Sequence, residues 1–385
     1  MSEQAAQAAA ATAPPAPLLE VRGLSVRIPT SRGTVQAVEE VSFSIGAGEV
    51  VGLVGESGSG KSVTCRAVMG LMKTPPVVVT GSALLHPVGG SGRGPVAGPG
   101  AGAGTCAGAG DAGPAARPPG PAISPQGDLS TPRQLVGLKR RERRRLWGTE
   151  LAMVFQDPMT ALNPVMRIGH QVMEAVAAHE DLPGARREAR AVELLEQVGI
   201  PFARRRMQDY PHQFSGGMMQ RALIAIALAS RPRLLFADEP TTSLDVVIQD
   251  QILELLLELQ RELSMSVVLV SHDLAVVSEV CDRVMVMYAG QIVEQAPTEE
   301  LLSAPRHPYT VALLRSIPQS SDGGRFLHSI AGAPPDMMSL DAGCHFAPRC
   351  EHVEESCRSW DTELLDLSQG SGRHLGRCRR MDVTA

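Results

Sequence analysis

At 385 residues the chain is long enough for more than one core-bearing domain, and its net charge of −5 argues against nucleic acid or an anionic membrane as the main partner. No apolar run approaches the ~20 residues of a membrane span. The opening Met1-Ser2-Glu3-Gln4 lacks the basic and apolar blocks of a signal peptide, so a cytoplasmic protein that meets the membrane only through a partner is expected.

Residues 1–17 are rich in Ala and Pro and read as a disordered lead-in. From Leu18 to about Ile45, apolar and polar residues alternate between turn signals, as in antiparallel strands. Gly48 to Gly55 reads as a buried strand, and Lys61 to Met72 as the helix that follows it. From about 82 to 132 the composition collapses into Gly, Pro and Ala. Such a segment has too little to bury to offset its ordering entropy, and it is expected to be a flexible insertion without assigned function. The run Lys139 to Arg145 reads as a solvated helical face. Leu151–Phe155 returns to the buried-strand pattern, and 167–199 looks helical and amphipathic, bounded by Gly199 and Pro201. A helix through Leu223–Ala229, a strand at Leu234–Ala237, a helix over Gln249–Leu263 and a strand at Val267–Val270 complete the pattern. Strands alternating with helices predict an α/β fold with a mainly parallel sheet covered on both faces. Beyond about Pro305 a separate, Cys-bearing domain over 305–385 is expected.

Gly55-Glu56-Ser57-Gly58-Ser59-Gly60-Lys61-Ser62, between strand and helix, is a phosphate-binding loop. Its glycines permit an anion-cradling turn and the helix N-terminus adds a favourable dipole. Lys61 is placed to reach the β- and γ-phosphates of ATP, and Ser62 to ligate Mg²⁺. Asp238 and Glu239 end an apolar strand, where carboxylates are out of place unless used. Asp238 suits holding Mg²⁺, and Glu239 suits a general base polarising the attacking water. Gln156 and His272 each follow a buried strand, at the edge where ligands gather in open α/β sheets. Gln156 is a candidate contact to Mg²⁺ or the water, and His272 a candidate partner of the γ-phosphate and Glu239. Ser215-Gly216-Gly217 is a second cradle of small residues. A chain with one complete cradle does not need another for the same nucleotide, so this one is expected to close over ATP held by a second subunit.

The order Gly55–Ser62, Gln156, Ser215–Gly217, Asp238–Glu239, Ser243-Leu244-Asp245 and His272 resembles the ATP-binding-cassette family over roughly Leu18 to Gly290. The resemblance implies an ABC-type P-loop NTPase domain over 18–304, with an antiparallel β subdomain and a helical subdomain at about 160–230, and adds Asp245 to the ATP site. Two departures stand out: Ile28 occupies the position where the family usually has an adenine-stacking aromatic, and Met218 follows the Ser-Gly-Gly cradle. Phe155-Gln156-Asp157-Pro158-Met159, Leu162-Asn163-Pro164, His307-Pro308-Tyr309-Thr310 and Cys344-His345-Phe346-Ala347-Pro348-Arg349-Cys350 resemble the dipeptide/oligopeptide importer ATPases in particular. That resemblance implies an ATPase coupled to transport at the cytoplasmic face of the membrane. Its implied partners are a second, paralogous ATPase subunit, two transmembrane permeases and an extracellular solute-binding protein. A soluble cassette ATPase acting on nucleic acid or ribosomes is the alternative class, and an importer of nickel or another small solute the alternative within the class.

Four of the seven cysteines, Cys344, Cys350, Cys357 and Cys378, crowd into the C-terminal part, with five, six and twenty residues between them. In a cytoplasmic protein such a cluster suggests metal ligation more than disulfides. Their residues leave an iron–sulfur cluster, zinc and unliganded thiols open, and the family resemblance implies a structural [4Fe–4S] cluster. Cys65, Cys106 and Cys281 lie apart from this group.

Overall fold

The computed structural model describes residues 17–72, 76–87, 131–242, 244–317, 330–360, 363–367 and 374–379. The lead-in up to residue 16, most of the expected insertion, Cys106 and Ser243 lie outside them.

Two sheets carry the fold. β1 (Leu19–Thr30), β2 (Gly33–Ile45), β4 (Val78–Leu85) and β5 (Arg133–Gln134) form an antiparallel sheet in the order β2-β1-β4-β5. In β1, Leu19, Val21, Leu24 and Val26 turn inward, and a register shift between Val21 and Leu24 keeps the buried set on one face. β4 continues through Leu85, so regular structure extends into the span expected to start the insertion.

The larger sheet runs β11 (Leu365–Asp366), β12 (Leu375–Gly376), β10 (Gln291–Pro297), β9 (Arg283–Tyr288), β3 (Val50–Val54), β8 (Ser266–Ser271), β7 (Leu234–Asp238), β6 (Leu151–Val154). The five strands from β9 to β6 are parallel, while β10 and β12 pair antiparallel. Because side chains alternate along a strand, each parallel strand feeds two cores. Val50, Val54, Ala237, Leu269 and Val286 enter one, with the helices; Val51, Leu53, Phe236, Val270 and Met287 enter the other, with the antiparallel sheet. The result is a three-layer α/β body with apolar strands buried on both sides.

The helical stretch expected over 167–199 is two helices, Ile168–Ala177 and Gly184–Gln197. Pro183 holds the N-cap of the second, where its missing N–H leaves no helical bond unmade. Both pack with the helix Gly216–Leu228. The arginine run forms the helix Arg140–Leu146, which buries only Leu146, in keeping with the solvated face expected. Among the described residues no helix is long and apolar enough to cross a membrane.

The C-terminal residues lie against this body. Phe346 joins the helix-side core, and β12 extends the large sheet through Glu294–Gly376 and Gln295–Leu375 pairing. Glu294 is fully buried. Its carboxylate accepts the backbone N–H groups of Arg306 (2.6 Å) and His307 (3.0 Å) and lies 2.7 Å from His374 Nε2. His374 Nδ1 lies 3.0 Å from Glu300. Burial disfavours the His374 cation, but hydrogen bonds to the two carboxylates outweigh that cost and raise its pKa above the ordinary 6.5. Buried His307 is pushed down to about 4 and stays neutral. A raised histidine pKa stabilises the fold most fully below the unfolded value, and the gain disappears as pH rises through the folded value. The stability difference between wild type and His374→Gln, followed by melting temperature, is therefore expected to be largest below about pH 6.5 and to shrink above it. A difference constant up to about pH 9 would contradict the ion-pair reading.

Candidate functional site

β3 ends at Val54, and the phosphate loop turns directly into the helix Lys61–Val68. Gly55 has φ of +152°, and a Cβ there would lie 2.0 Å from the Met287 carbonyl oxygen of β9. The loop thus lies flush against the neighbouring strand. Gly58 also has positive φ (+81°), but no atom lies within 4 Å of its Cβ position. The buried Lys61 ammonium folds back over the loop and donates to the carbonyls of Gly55 (2.7 Å) and Glu56 (3.0 Å). Burial lowers its pKa, against the pull of Glu239 and Asp238. Ser59 Oγ is buried in the loop without a hydrogen-bond partner among the described residues, so the loop has donor capacity to offer an anion. Lys61, Ser59 and the open side at Gly58 together fit a phosphate chain.

Ser62 Oγ donates to Asp238 Oδ1 at 2.5 Å, joining the phosphate loop to the end of β7. Asp238 is completely buried and also meets Arg66 at 3.3 Å. Next in the chain, Glu239 adopts φ of +47°, a left-handed conformation uncommon for a non-glycine residue. Its N–H is held by the carbonyl of Val270 in β8 (3.0 Å). This turn aims the carboxylate along the sheet edge, where Oε2 accepts from Gln156 Nε2 (2.7 Å) and Thr242 Oγ1 (2.8 Å). His272 Nδ1 stands 3.6 Å from the same oxygen. Gln156, Glu239 and His272, more than a hundred residues apart at the extremes, thus meet at one oxygen. Thr242, three residues after Glu239, and Arg66, one turn after Ser62, are the members that the sequence reading missed. Their signal was their spacing from residues already chosen.

Ser215 N-caps the helix Gly216–Leu228, its Oγ accepting from Met218 N at 3.3 Å, and Asp245 caps the helix Val246–Leu263 in the same way at 3.1 Å. These two helix starts pack together: a Cβ on Gly217 would lie 2.7 Å from Ile248 Cγ2. Among the described residues no hydrogen bond joins Ser215, Gly216 or Gly217 to the phosphate loop of the same chain. Ile28 sits in β1, partly buried against the sheet-side core.

Cys344, Cys350, Cys357 and Cys378 line a single cavity with Phe346 and Trp360. Burial raises the thiol pKa of Cys344 and Cys350. Among the described residues, no group of three or more His, Cys, Asp or Glu side chains is close enough to hold a metal ion. The donor set and the shared cavity suit a thiolate-held group, whereas the spacing of the sulfurs as they stand does not. Cys65 and Cys281 are buried in the two cores with raised thiol pKa values.

Comparison with known proteins gives the family and the fold. The ABC transporter family model matches residues 38–86 and 125–242, and that of the oligopeptide/dipeptide transporter C-terminal region matches 293–357. The chain is 42% identical over 347 residues to the dipeptide transport ATP-binding protein DppD of Haemophilus influenzae, covering 90% of this chain and 92% of that one. It is 40% identical over 359 residues to the oligopeptide transport ATP-binding protein OppD of Salmonella typhimurium, covering 93% and 92%. The solved structure of the ATP-binding cassette MJ0796 in a dimeric post-hydrolysis state superposes with a TM-score of 0.55 at 23% identity, over 73% of this chain and 98% of that one. It shares the cassette fold.

Gly55→Ala must push a methyl group into the Met287 carbonyl, a strain of about 1–3 kcal/mol placed directly in the phosphate loop. It is expected to weaken Mg·ATP binding by roughly tenfold or more, measured by equilibrium dialysis. Gly58→Ala, which meets open space, is expected to lose less. Equal losses would show that the strand contact does not set the loop.

Proposed function

This chain belongs to the ATP-binding subunits of the dipeptide and oligopeptide ABC transporters, and from that premise we infer that its ATP hydrolysis drives peptide import through membrane permeases to which it binds peripherally, on the cytoplasmic side. It is an ABC-type ATPase. Acting on nucleic acid or ribosomes is not favoured, because the relatives at 40–44% identity are peptide-transport subunits. The observation that carries the chemistry is the convergence of Gln156, Thr242 and His272 on one carboxylate oxygen of Glu239, next in the chain to the Asp238–Ser62 link.

Mg·ATP, when bound, supplies the phosphoanhydride to be cleaved and the metal charge that offsets its oxygens. Backbone N–H groups of the loop, apart from that of Glu56, which is held by Tyr309, would line the phosphate chain, and Lys61 would exchange its two carbonyl partners for phosphate oxygens. Ser62 and Asp238, bonded to each other, would hold Mg²⁺, with Gln156 as a further candidate ligand. Glu239 accepts a proton from the attacking water at its carboxylate, while Gln156 and Thr242 fix the orientation of that carboxylate. His272, exposed beside it, reaches toward the γ-phosphate and keeps Glu239 aimed. Ser215, Gly216, Gly217 and Asp245 serve the nucleotide of a second ATP-binding subunit. Supporting that reading, their helix starts pack on each other and, among the described residues, make no hydrogen bond to their own phosphate loop.

We also propose that residues 305–385 form a Cys-bearing C-terminal region in which Cys344, Cys350, Cys357 and Cys378 hold a [4Fe–4S] cluster tying its loops together. Their convergence on one cavity supports this, and the sulfurs would have to draw closer than they stand. Anaerobically purified protein is then expected to be brown, with roughly four irons per chain, and a Cys→Ser change at any of the four should remove the colour but spare ATP binding. Stoichiometric zinc without iron would replace the cluster with a zinc site.

Glu239→Gln is expected to bind ATP normally yet lower turnover by roughly 10²–10⁴-fold, because only the proton acceptor is lost. Near-normal turnover in the assembled transporter would remove Glu239 from the role of base. The isolated chain is expected to hydrolyse ATP poorly until a second ATP-binding subunit is added. Full activity from a verified monomer, independent of concentration, would exclude the shared site.

A further inference from the structure

Glu56 lies inside the phosphate loop, and every polar group it owns is engaged. Its carbonyl accepts from Lys61 Nζ at 3.0 Å. Its backbone N–H donates to Tyr309 Oη at 2.9 Å. Its carboxylate receives a two-pronged bond from Arg349, with Nη1 to Oε2 at 2.7 Å and Nη2 to Oε1 at 3.0 Å. Tyr309 and Arg349 both belong to the part of the chain beyond the cassette motifs, 253 and 293 residues away in sequence.

Arg349 is not a loose surface arginine. Its side chain is 4% exposed, against 26% for Glu56. The guanidinium also donates to the carbonyls of Ala331 (2.9 Å) and Ile330 (3.3 Å) and to Tyr288 Oη (3.3 Å). Beneath it, Tyr288, Tyr309 and Phe346 form a ring cluster with centroids 4.6–5.4 Å apart. A planar fork fixed by three further acceptors fits a carboxylate in one orientation only, and an ion pair shielded in this way is stronger than an exposed one. Glu56 is therefore fixed from the C-terminal side, and the carbonyl that steers Lys61 is fixed with it.

We propose that Arg349 is a positioning residue of the ATP site: through Glu56 it latches the phosphate loop in its nucleotide-ready shape. The C-terminal region then contributes to ATP affinity without touching ATP. The latch rests on the assignment of residues 55–62 as the nucleotide cradle and goes beyond it. A pre-shaped loop binds more tightly because less ordering is left to do on binding.

Charge alone gives a different result from the latch. Removing the Arg349 cation weakens binding of an anionic nucleotide on electrostatic grounds, but removing the Glu56 anion strengthens it. The latch requires both changes to weaken it. The test is equilibrium binding of Mg·ATP to the full chain as wild type, Arg349→Ala, Glu56→Ala, the double variant and Arg349→Lys. Each alanine variant is expected to raise Kd roughly tenfold, and the double variant by no more than either single one, since both break one link. Arg349→Lys, which keeps the charge but not the fork, should fall between. Arg349→Ala within twofold of wild type, tighter binding by Glu56→Ala, or single effects that multiply in the double variant would each overturn the latch. A lower melting temperature with unchanged Kd would likewise reduce Arg349 to a structural contact. Should Arg349→Ala not fold, the sign of the Glu56→Ala effect, at the more exposed partner of the pair, decides alone. A wild-type chain that does not bind Mg·ATP would overturn the cradle assignment and the latch with it.

Discussion

Five strands run parallel through the centre of the molecule, with Val54 level with Ser271, Val270 level with Asp238, and Val154 level with Ala237. Since the strands all end along one edge, whatever follows each of them is delivered to the same line. The phosphate loop follows β3, Gln156 follows β6, Glu239 follows β7 and His272 follows β8. No side chain has to reach far. The site is assembled by the register of the sheet, which is itself fixed by alternation into two apolar cores.

The left-handed turn at Glu239 shows how that edge is refined. A residue in this conformation costs about 1 kcal/mol relative to an ordinary one and persists only where its neighbours hold it. Here the hold comes from the Val270 carbonyl on the backbone, and from Gln156 and Thr242 on the side chain. Continuing as a strand, the chain would send the carboxylate to one face of the sheet instead of along its rim.

Much of this was legible in the sequence, because the governing signals are local. The phosphate loop, the strand ending at Asp238 and the Ser215 cap each reside in fewer than ten consecutive residues. Periodicity placed β3, β6, β7 and β8 to within a residue or two, since buried parallel strands are unbroken apolar runs. The reading of 167–199 as one helical stretch failed at Pro183, where amphipathic spacing continues on both sides of a break. β9 and β10 passed unread although Arg283–Tyr288 is strongly apolar, because their pairing turns on Ala289-Gly290 and not on a motif. The Glu56–Arg349 and Glu294–His374 pairs were beyond reach. Each joins charged residues that look ordinary alone, across 293 and 80 positions.

The hydrogen bonds of β10 to β12 have a meaning apart from the site. A seven-residue strand with one side unpaired offers backbone groups to any passing extended chain. β12 occupies part of that side with two residues, backed by β11 and fastened by His374 on the buried Glu294. At the opposite border β6 is only four residues long. The C-terminal ribbon therefore acts as a guard strand, shortening the stretch of open sheet edge that another extended chain could pair with.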